Sequence, residues 1–278
     1  MNGLKRVISK IALEGVMFII VAMVALPFCW VIATSLRLPK DSFTLPPAFF
    51  PTSFHLDNYV KVFSLVPYFN FVLNSVFVSV VATLLQVMIT TMAAYAFSRI
   101  EFKGRNFWFI LILSGLMIPY YSTVIPLFLI IKDLGLIDSR WALILPCILN
   151  PFGIFLVRQF MLVIPKSYDE AAYMDGASRF RIYWEIIMPM AAPSIMITAV
   201  MWFIKTWNEF FYPLIFITTW EKMTLPLGLT VLSGYGNTMH PVTVVLAGVT
   251  LSVIPPFLFY LFGQKYLIRG TSLAGIKG

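Results

Sequence analysis

Long apolar stretches alternate with short polar segments along the whole chain. The apolar runs begin near positions 15, 68, 106, 141, 191 and 242. An apolar run of about 20 residues is long enough to cross the hydrocarbon layer of a membrane as an α-helix. Only helices and closed barrels satisfy every backbone polar group inside lipid. The pattern therefore predicts an all-α integral membrane protein with six transmembrane helices.

The polar segments set the predicted boundaries of these helices. Residues 1–14 precede helix 1 at residues 15–36, and a polar, Pro-rich segment with a short helix near Asn58–Phe63 follows at residues 37–67. Residues 68–268 hold helices 2–6 as a core domain, and residues 269–278 form a tail. Helices 2 to 6 are predicted at 68–97, 106–131, 141–164, 191–219 and 242–268. Helix 1 exceeds the apolar region of a signal peptide, so we expect it to stay uncleaved.

Composition excludes several other classes of protein. Of the 278 residues, 60% are hydrophobic and 12% are charged, whereas soluble domains have about 25% charged residues. The net charge of +8 is spread over separate loops, so we do not predict nucleic-acid binding. The two cysteines and the two histidines are isolated, so neither a metal site nor a bound cofactor is predicted. The chain also lacks a P-loop and the common hydrolase motifs, which argues against an enzyme.

The distribution of Lys and Arg predicts the orientation. If the N-terminus is inside, thirteen of the twenty cations lie in inside segments or at the adjacent helix ends, six lie outside and Lys205 lies within a helix. Cations gather in the cytoplasmic loops of membrane proteins. Both termini and the loop at residues 165–189 are therefore predicted to be cytoplasmic.

The loop at residues 165–189, with the sequence PKSYDEAAYMDGASRFRIYWEIIMP, combines charge with local order. Ser167 and Glu170 have the spacing of a capping box, which predicts a helix that starts at Tyr168. Gly176 suits the position just after this helix, where a left-handed backbone costs glycine little. A second amphipathic helix is expected from about Ser178. The first helix is too short to bury its own apolar side chains, so it is suited to dock on another protein.

Several residues of this loop resemble the EAA loop of ABC importer permeases. The matching residues are Glu170-Ala171-Ala172, Asp175-Gly176-Ala177, Ile186 and Met188-Pro189, with Met188 in place of the usual Leu. In that family the loop is a coupling helix that docks on a cytoplasmic ATPase. The resemblance assigns this role to Glu170, Ala171, Ala172, Asp175, Gly176 and Pro189. The alternative is an ordinary interfacial loop in which Glu170 serves only as a cap.

The resemblance extends over nearly the whole chain. Ala93 to Arg99 looks like part of the family's second transmembrane helix. Trp207-Asn208-Glu209-Phe210 and the end of the chain at Ala274 to Gly278 resemble the smaller permease of maltose-type carbohydrate importers. It implies the type I ABC importer permease fold in a bacterial or archaeal cytoplasmic membrane. It also implies a second permease subunit as heterodimer partner, an ATPase dimer that holds ATP-Mg, and an extracytoplasmic solute-binding protein. Gly275 and Lys277 of the tail would contact the ATPase.

Polar residues within the predicted helices are candidates for the substrate path. Lys205 and Glu209 are four apart and are expected to share a helix face, where they would pair. Together with Trp207 and Asn208 they offer charge, stacking and hydrogen bonds to a sugar, although a local ion pair that only orients the helix is an alternative. Asn74, Gln86 and Asn150 are expected to be interhelical hydrogen-bonding groups.

Three other classes of membrane protein fit the sequence less well. A secondary transporter driven by an ion gradient normally has repeated halves and buried acidic residues, and this sequence shows neither clearly. An intramembrane enzyme needs a nucleophile with a base, or metal ligands, inside its helices. An ABC exporter half lacks the EAA loop. Within the importers, a permease for a non-sugar solute is the remaining alternative.

Overall fold

The computed structural model describes residues 2–42, 49–50, 53–234 and 240–274 of the chain. Gly275 and Lys277 lie outside these residues, so the predicted tail contact stays a prediction. Fifteen α-helices occur in the described part. They are α1 (Asn2–Ser35), α2 (Asp57–Leu65), α3 (Tyr68–Arg99), α4 (Arg105–Ser114), α5 (Val124–Asp133), α6 (Trp141–Ile144), α7 (Pro151–Val163), α8 (Ser167–Met174), α9 (Arg179–Arg181), α10 (Met188–Met190), α11 (Ala192–Trp207), α12 (Phe211–Phe216), α13 (Leu225–Gly234), α14 (Val242–Ser252) and α15 (Ile254–Ala274).

Shorter helical segments connect these elements. Five are 3₁₀-helices, and Ile182–Ile187 forms a π-helix between α9 and α10. The 3₁₀-helices are Pro39–Asp41, Gly115–Met117, Tyr120–Thr123, Leu145–Cys147 and Trp220–Lys222.

Three of the six apolar stretches are straight enough to count as single spans, and three are bent pairs. Lys10–Ser35, Tyr68–Arg99 and Val242–Lys265 each have the length and hydropathy to cross a membrane. Arg105–Met117 and Tyr120–Asp133 meet at 100°, and Trp141–Cys147 and Pro151–Val163 meet at 43°. Pro119 and Pro151 stand at these breaks, where a missing N–H prevents a continuous helix. The prolines in these stretches are evident from the sequence, but the sequence does not predict how large the bends are.

The fifth predicted helix, at residues 191–219, is wrong at both ends. The apolar segment begins earlier, because Arg179–Met190 joins Ala192–Trp207 at a 77° bend. At the other end α11 stops at Trp207, and α12 starts anew at Phe211. The Glu209 carboxylate accepts hydrogen bonds from the N–H groups of Phe211 (3.0 Å) and Tyr212 (3.2 Å), which favours a new helix start over continuation.

The chain divides into two compact units. The first comprises residues 1–68 and 228–253. In this unit the buried Asn58 side chain donates hydrogen bonds to the carbonyls of Ser35 and Arg37, each at 2.8 Å, and so ties α2 to the end of α1. The Tyr68 hydroxyl donates to the Gly248 carbonyl at 2.7 Å. The short helix predicted near Asn58–Phe63 corresponds to α2.

The second unit comprises residues 69–227 and 254–278 and contains the loop at 165–189. Its helices pack closely at glycines. A Cβ on Gly263 would lie 2.6 Å from a Val200 methyl, so this glycine lets α15 approach α11. The Phe203 and Phe259 rings stack between the same helices at 4.1 Å. The described candidate residues, in the loop at 165–189 and at 205–209, all belong to this unit.

Candidate functional site

The helix α8 lies at the centre of the loop that the sequence singled out. It begins at Ser167, with Lys166 as N-cap, and no side chain caps it. The predicted capping box is therefore wrong, because the helix starts one residue earlier than expected and Ser167 is already helical. No described residue donates a hydrogen bond to the Glu170 carboxylate, so Glu170 does not serve as a cap of α8, and its role in coupling stays a prediction.

The end of α8 is a Schellman motif built around Gly176. The Gly176 N–H donates to the Tyr173 carbonyl at 3.0 Å, and the Ala177 N–H donates to the Ala172 carbonyl at 2.9 Å. Gly176 has φ of +78°, the left-handed conformation that was expected of it. The next helix follows at once, since the Ser178 hydroxyl accepts from the Arg181 N–H at 3.3 Å as its N-cap.

One side of α8 is anchored in the protein. Ala172 is 7% exposed and packs in a core with Tyr95, Met161 and Ile182. One turn earlier, the Asp169 carboxylate accepts a 2.8 Å hydrogen bond from the Arg99 guanidinium, and the two side chains are 12% and 5% exposed. Burial raises the pKa of Asp169 above its usual value, and the Arg99 charge offsets part of this rise.

The other side of α8 faces outward. Glu170, Ala171, Asp175 and Gly176 are exposed, and Met174 at the tip is 89% exposed. A groove of about 450 Å³ runs beside the helix and is lined in part by Tyr168, Ala171 and Ile186. Ala171 and Ala172, which were predicted to share one role, therefore differ: Ala171 faces outward, whereas Ala172 fills the internal core. An exposed methionine and carboxylate on an anchored helix form a surface that can bind another protein.

Pro189 lies apart from the exposed face of α8. It is exposed at the bend before α11, where it lines an apolar cavity of about 500 Å³ together with side chains of α3, α11 and α15. Between the two sites the chain forms the π-helix, whose Ile182, Tyr183 and Ile187 are buried. Pro189 therefore shapes the connection to α11.

The candidate path residues are separated by the end of α11. The predicted Lys205–Glu209 pair is absent from the described ion pairs, because the helix ends at Trp207 and Glu209 no longer shares a face with Lys205. Instead the Lys205 ammonium lies 4.0 Å from the centre of the Trp202 ring. Trp207 is 3% exposed and stacks on Phe203, so it offers no open face to a sugar.

The remaining candidate polar residues have different partners. Asn208 is exposed and donates to the Ile204 carbonyl of its own helix. Gln86 donates to Thr90 of α3, and Asn150 accepts from the Gly153 N–H as the N-cap of α7. The interhelical role predicted for these two residues is therefore wrong. Asn74 does bond across elements, since it donates to the carbonyls of Glu221 and Met223 at 2.8 and 2.9 Å.

A polar network lies at the opposite end of α3 from Arg99. The Asp138 carboxylate accepts from the Lys222 ammonium at 2.7 Å, from the Thr219 hydroxyl at 2.6 Å and from two backbone N–H groups. Burial acts to raise the pKa of Asp138, but the hydrogen bonds from Lys222 and Thr219 outweigh it and hold the pKa below its ordinary value. The network fixes the segment after α12 against the segment before α6.

Sequence reasoning missed the Arg99–Asp169 pair. Arg99 follows the second predicted helix, and Asp169 directly precedes Glu170 in the loop. Their positions are far apart along the chain, so no local pattern links them. A charged residue in the last turn of an apolar helix, opposite an acidic residue in a neighbouring loop on the same predicted side, is the only available signal.

Comparison with known proteins assigns the sequence to a family. Residues 86–273, well over half of the chain, match the model of the protein family described as the binding-protein-dependent transport system inner membrane component. The chain belongs to this family. The family resemblance found in the sequence is thereby confirmed, and the chain is a multi-pass membrane component of a transport system.

Relatives and a solved structure agree with this membership. The chain is 35% identical over 246 residues to the arabinooligosaccharides transport system permease protein AraQ of Halalkalibacterium halodurans, covering 88% of this chain and 86% of that protein. It is 34% identical over 265 residues to the trehalose/maltose transport system permease protein MalG of Thermococcus litoralis, covering 94% of each.

The fold itself matches a crystal structure of a bacterial ABC transporter involved in the import of the acidic polysaccharide alginate. The TM-score is 0.82 at 25% identity, over 94% of this chain and 96% of that chain. The predicted fold class, an all-α membrane protein with the type I ABC importer permease fold, is confirmed.

Proposed function

We propose that this chain is the permease subunit of an ATP-driven importer that carries a carbohydrate across the cytoplasmic membrane. Membership of the binding-protein-dependent family supports the importer. The similarity to permeases for arabinooligosaccharides and for trehalose and maltose supports the carbohydrate. ATP-Mg is held by a separate ATPase dimer. A second permease subunit and an extracytoplasmic binding protein complete the proposed complex.

The observation that carries the coupling role is the division of α8 into an anchored and an exposed side. Asp169 and Ala172 hold the helix in its own subunit, while Glu170 and Met174 face outward. A carboxylate without a partner in the described part of the chain is available to a cation on another protein. We therefore assign α8 as the coupling helix that docks on the ATPase.

The orientation follows from the distribution of cations. With both termini in the cytoplasm, the excess of Lys and Arg puts α8 on the same side as ATP. The segment from Trp220 to Leu225 is then extracytoplasmic. This orientation places the coupling helix and the binding-protein side at opposite faces of the membrane, as an importer requires.

The proposed mechanism is alternating access without covalent chemistry in this chain. Closure of the ATPase dimer displaces α8, which shifts the population of the permease between inward-open and outward-open states. Lys205 and Asn208, which are exposed, and Glu209 are proposed to line the substrate path. Trp207 is not included, because its ring is buried.

A matched pair of variants tests the coupling role. Glu170→Gln removes the outward charge of α8 and retains its size. Glu185→Gln removes an exposed charge from the same loop, but that carboxylate is held by Arg181 at 2.8 Å. In the reconstituted complex we expect Glu170→Gln to lower binding-protein-stimulated ATPase activity several-fold and Glu185→Gln to leave it close to wild type. Equal activity of all three proteins, with the complex intact, would contradict the assignment.

Uptake by proteoliposomes that contain the whole complex tests the substrate class. We expect ATP-dependent accumulation of an oligosaccharide from a panel that spans neutral and acidic sugars, amino acids and peptides. Accumulation of an amino acid or a peptide alone would refute the carbohydrate assignment and leave the importer assignment in place.

A further inference from the structure

The last residue of α3 binds three partners at once. The Arg99 guanidinium donates one hydrogen bond to Asp169 at 2.8 Å and two more to the carbonyls of Met161 (2.7 Å) and Ile164 (2.8 Å). The planar guanidinium has several donors in a fixed arrangement, which suits it to such a junction. Arg99 thus joins the end of α3 to the end of α7 and to the first turn of α8.

Two further contacts tie the same face of α3 to the loop that contains α8. The Tyr95 hydroxyl donates to the Arg179 carbonyl at 3.2 Å, and the hydroxyls of Thr91 and Tyr183 lie 2.9 Å apart. Residues spaced by four positions lie on one helix face. Thr91, Tyr95 and Arg99 therefore form a continuous row, and this row binds the loop over more than two turns of α3.

The opposite end of α3 is also held by side-chain hydrogen bonds. Asn74 donates to the carbonyls of Glu221 and Met223, and Arg140 donates to the Asn74 side-chain oxygen at 2.9 Å. The Ser75 hydroxyl accepts from the Leu225 N–H at 2.7 Å. At 1.5 Å per residue, Asn74 and Arg99 lie about 37 Å apart along one helix without a break.

We propose that α3 is a rigid rod that carries the displacement of α8 to the segment from Glu221 to Leu225, and that Arg99 and Asp169 are the positioning pair that attaches α8 to this rod. The inference rests on the proposed function, since the ATPase supplies the displacement. A buried ion pair cannot slip without leaving a charge unpaired in the interior, so α8 and the end of α3 must move together. In this account Asp169 acts through Arg99 and need not touch the ATPase.

The test compares Asp169→Asn with Glu185→Gln in the reconstituted complex. Asn at position 169 keeps the shape of the side chain and loses its charge, whereas Glu185 is an exposed carboxylate of the same loop that pairs with Arg181. The reporter is Glu221→Cys in a background without Cys29, because the Glu221 side chain is exposed and only its backbone carbonyl bonds to Asn74. The thiol is labelled with an impermeant reagent before and after trapping with ATP and vanadate.

We expect trapping to change the labelling rate about fivefold in the parent and in Glu185→Gln, at the lower end of typical coupling between sites. Asp169→Asn should lose this response and transport less substrate per ATP, while its ATPase activity is still stimulated. If the labelling response and the transport per ATP are unchanged in Asp169→Asn, the Arg99–Asp169 pair only stabilises the fold, and the inference is overturned. The inference would also be overturned if the parent transports substrate but its labelling rate at position 221 does not change on trapping. If ATP hydrolysis does not drive transport in the parent, the proposed function is refuted instead.

A second measurement needs no change at the pair, in case Asp169→Asn does not fold. Spin labels at Met92, an exposed residue of α3, and at Met174, the tip of α8, report the distance between the two helices. The proposal predicts the same distance distribution before and after trapping. A shift of the distribution on trapping would show that α8 moves independently of α3 and would overturn the proposal.

Discussion

Gly176 offers a sharp perturbation of α8, because replacing it strains the backbone at the end of the helix. Its φ of +78° is a conformation that L residues adopt rarely, and a Cβ built on it meets no heavy atom within 4 Å. A Cβ at position 176 therefore clashes with nothing in the described part of this chain. The cost is that of a left-handed L residue, about 1–2 kcal/mol, and somewhat more for a β-branched side chain.

Gly135 provides a control with the same local structure at another place. It has φ of +67° and open space around its Cβ. Its N–H donates to the Lys132 carbonyl at 2.9 Å, and the Leu136 N–H donates to the Ile131 carbonyl at 3.0 Å, so α5 ends in the same Schellman motif as α8. Gly135→Val should carry the same backbone strain at a helix end that we do not assign to coupling.

The assay measures thermal stability and binding-protein-stimulated ATPase activity of the purified complex. A strain of 1–2 kcal/mol changes a conformational ratio by a factor of about 5–30, so the end of α8 should leave its Schellman geometry about 5–30 times more often than in the parent. We expect both Val variants to lose similar stability and only Gly176→Val to lose stimulation, with Gly176→Asn close to wild type because Asn tolerates this φ. An equal loss of stimulation in Gly135→Val, or none in Gly176→Val, would refute the reasoning.

Three further predictions follow from the described contacts. Asp138→Asn should lower the melting temperature at neutral pH. Because the folded-state pKa of Asp138 is depressed, the carboxylate stabilises the protein above about pH 4, and this stabilisation is lost as the pH falls. The difference in melting temperature from wild type should therefore disappear in acid. Glu209→Ala should destabilise the protein by about 1 kcal/mol, as loss of a helix cap does, whereas Glu209→Gln, which still accepts hydrogen bonds, should be almost neutral in thermal unfolding. Because Lys205 and Glu209 are unpaired with each other, Lys205→Met combined with Glu209→Gln should transport no better than Lys205→Met alone, and recovery in the double variant would show that they interact.

Features that depend on local chemistry were predictable from the sequence. Gly176 was expected in the left-handed conformation because a short helix must end there and glycine alone adopts that backbone at little cost. Ser178 was expected to start the next helix, and it caps that helix in the structure. The six apolar stretches were also found, since hydrophobic length is a property of the sequence itself.

Features that depend on tertiary contacts were not predictable in the same way. Ser167 lies within α8, because the Lys166 carbonyl already accepts from the Glu170 N–H, although the sequence pattern also suits a helix that begins one residue later. Ala172 and Ala171 look alike in the sequence, but packing against Tyr95 and Met161 buries only one of them. The end of α11 at Trp207 follows from the Glu209 carboxylate binding the next helix, which broke the i, i+4 relation on which the Lys205–Glu209 pair depended.

Cross-linking from the tip of α8 tests the central claim most directly. Cysteine is placed at Met174, which is 89% exposed on an anchored helix, and at Leu134, which is 60% exposed at the end of α5, in a background without Cys29. In membranes that contain the whole complex, we predict that a short thiol-reactive cross-linker joins position 174 to the ATPase subunit and does not join position 134 to it. If position 174 forms no cross-link while the ATPase still co-purifies, or if position 134 cross-links equally well, α8 is not the coupling helix.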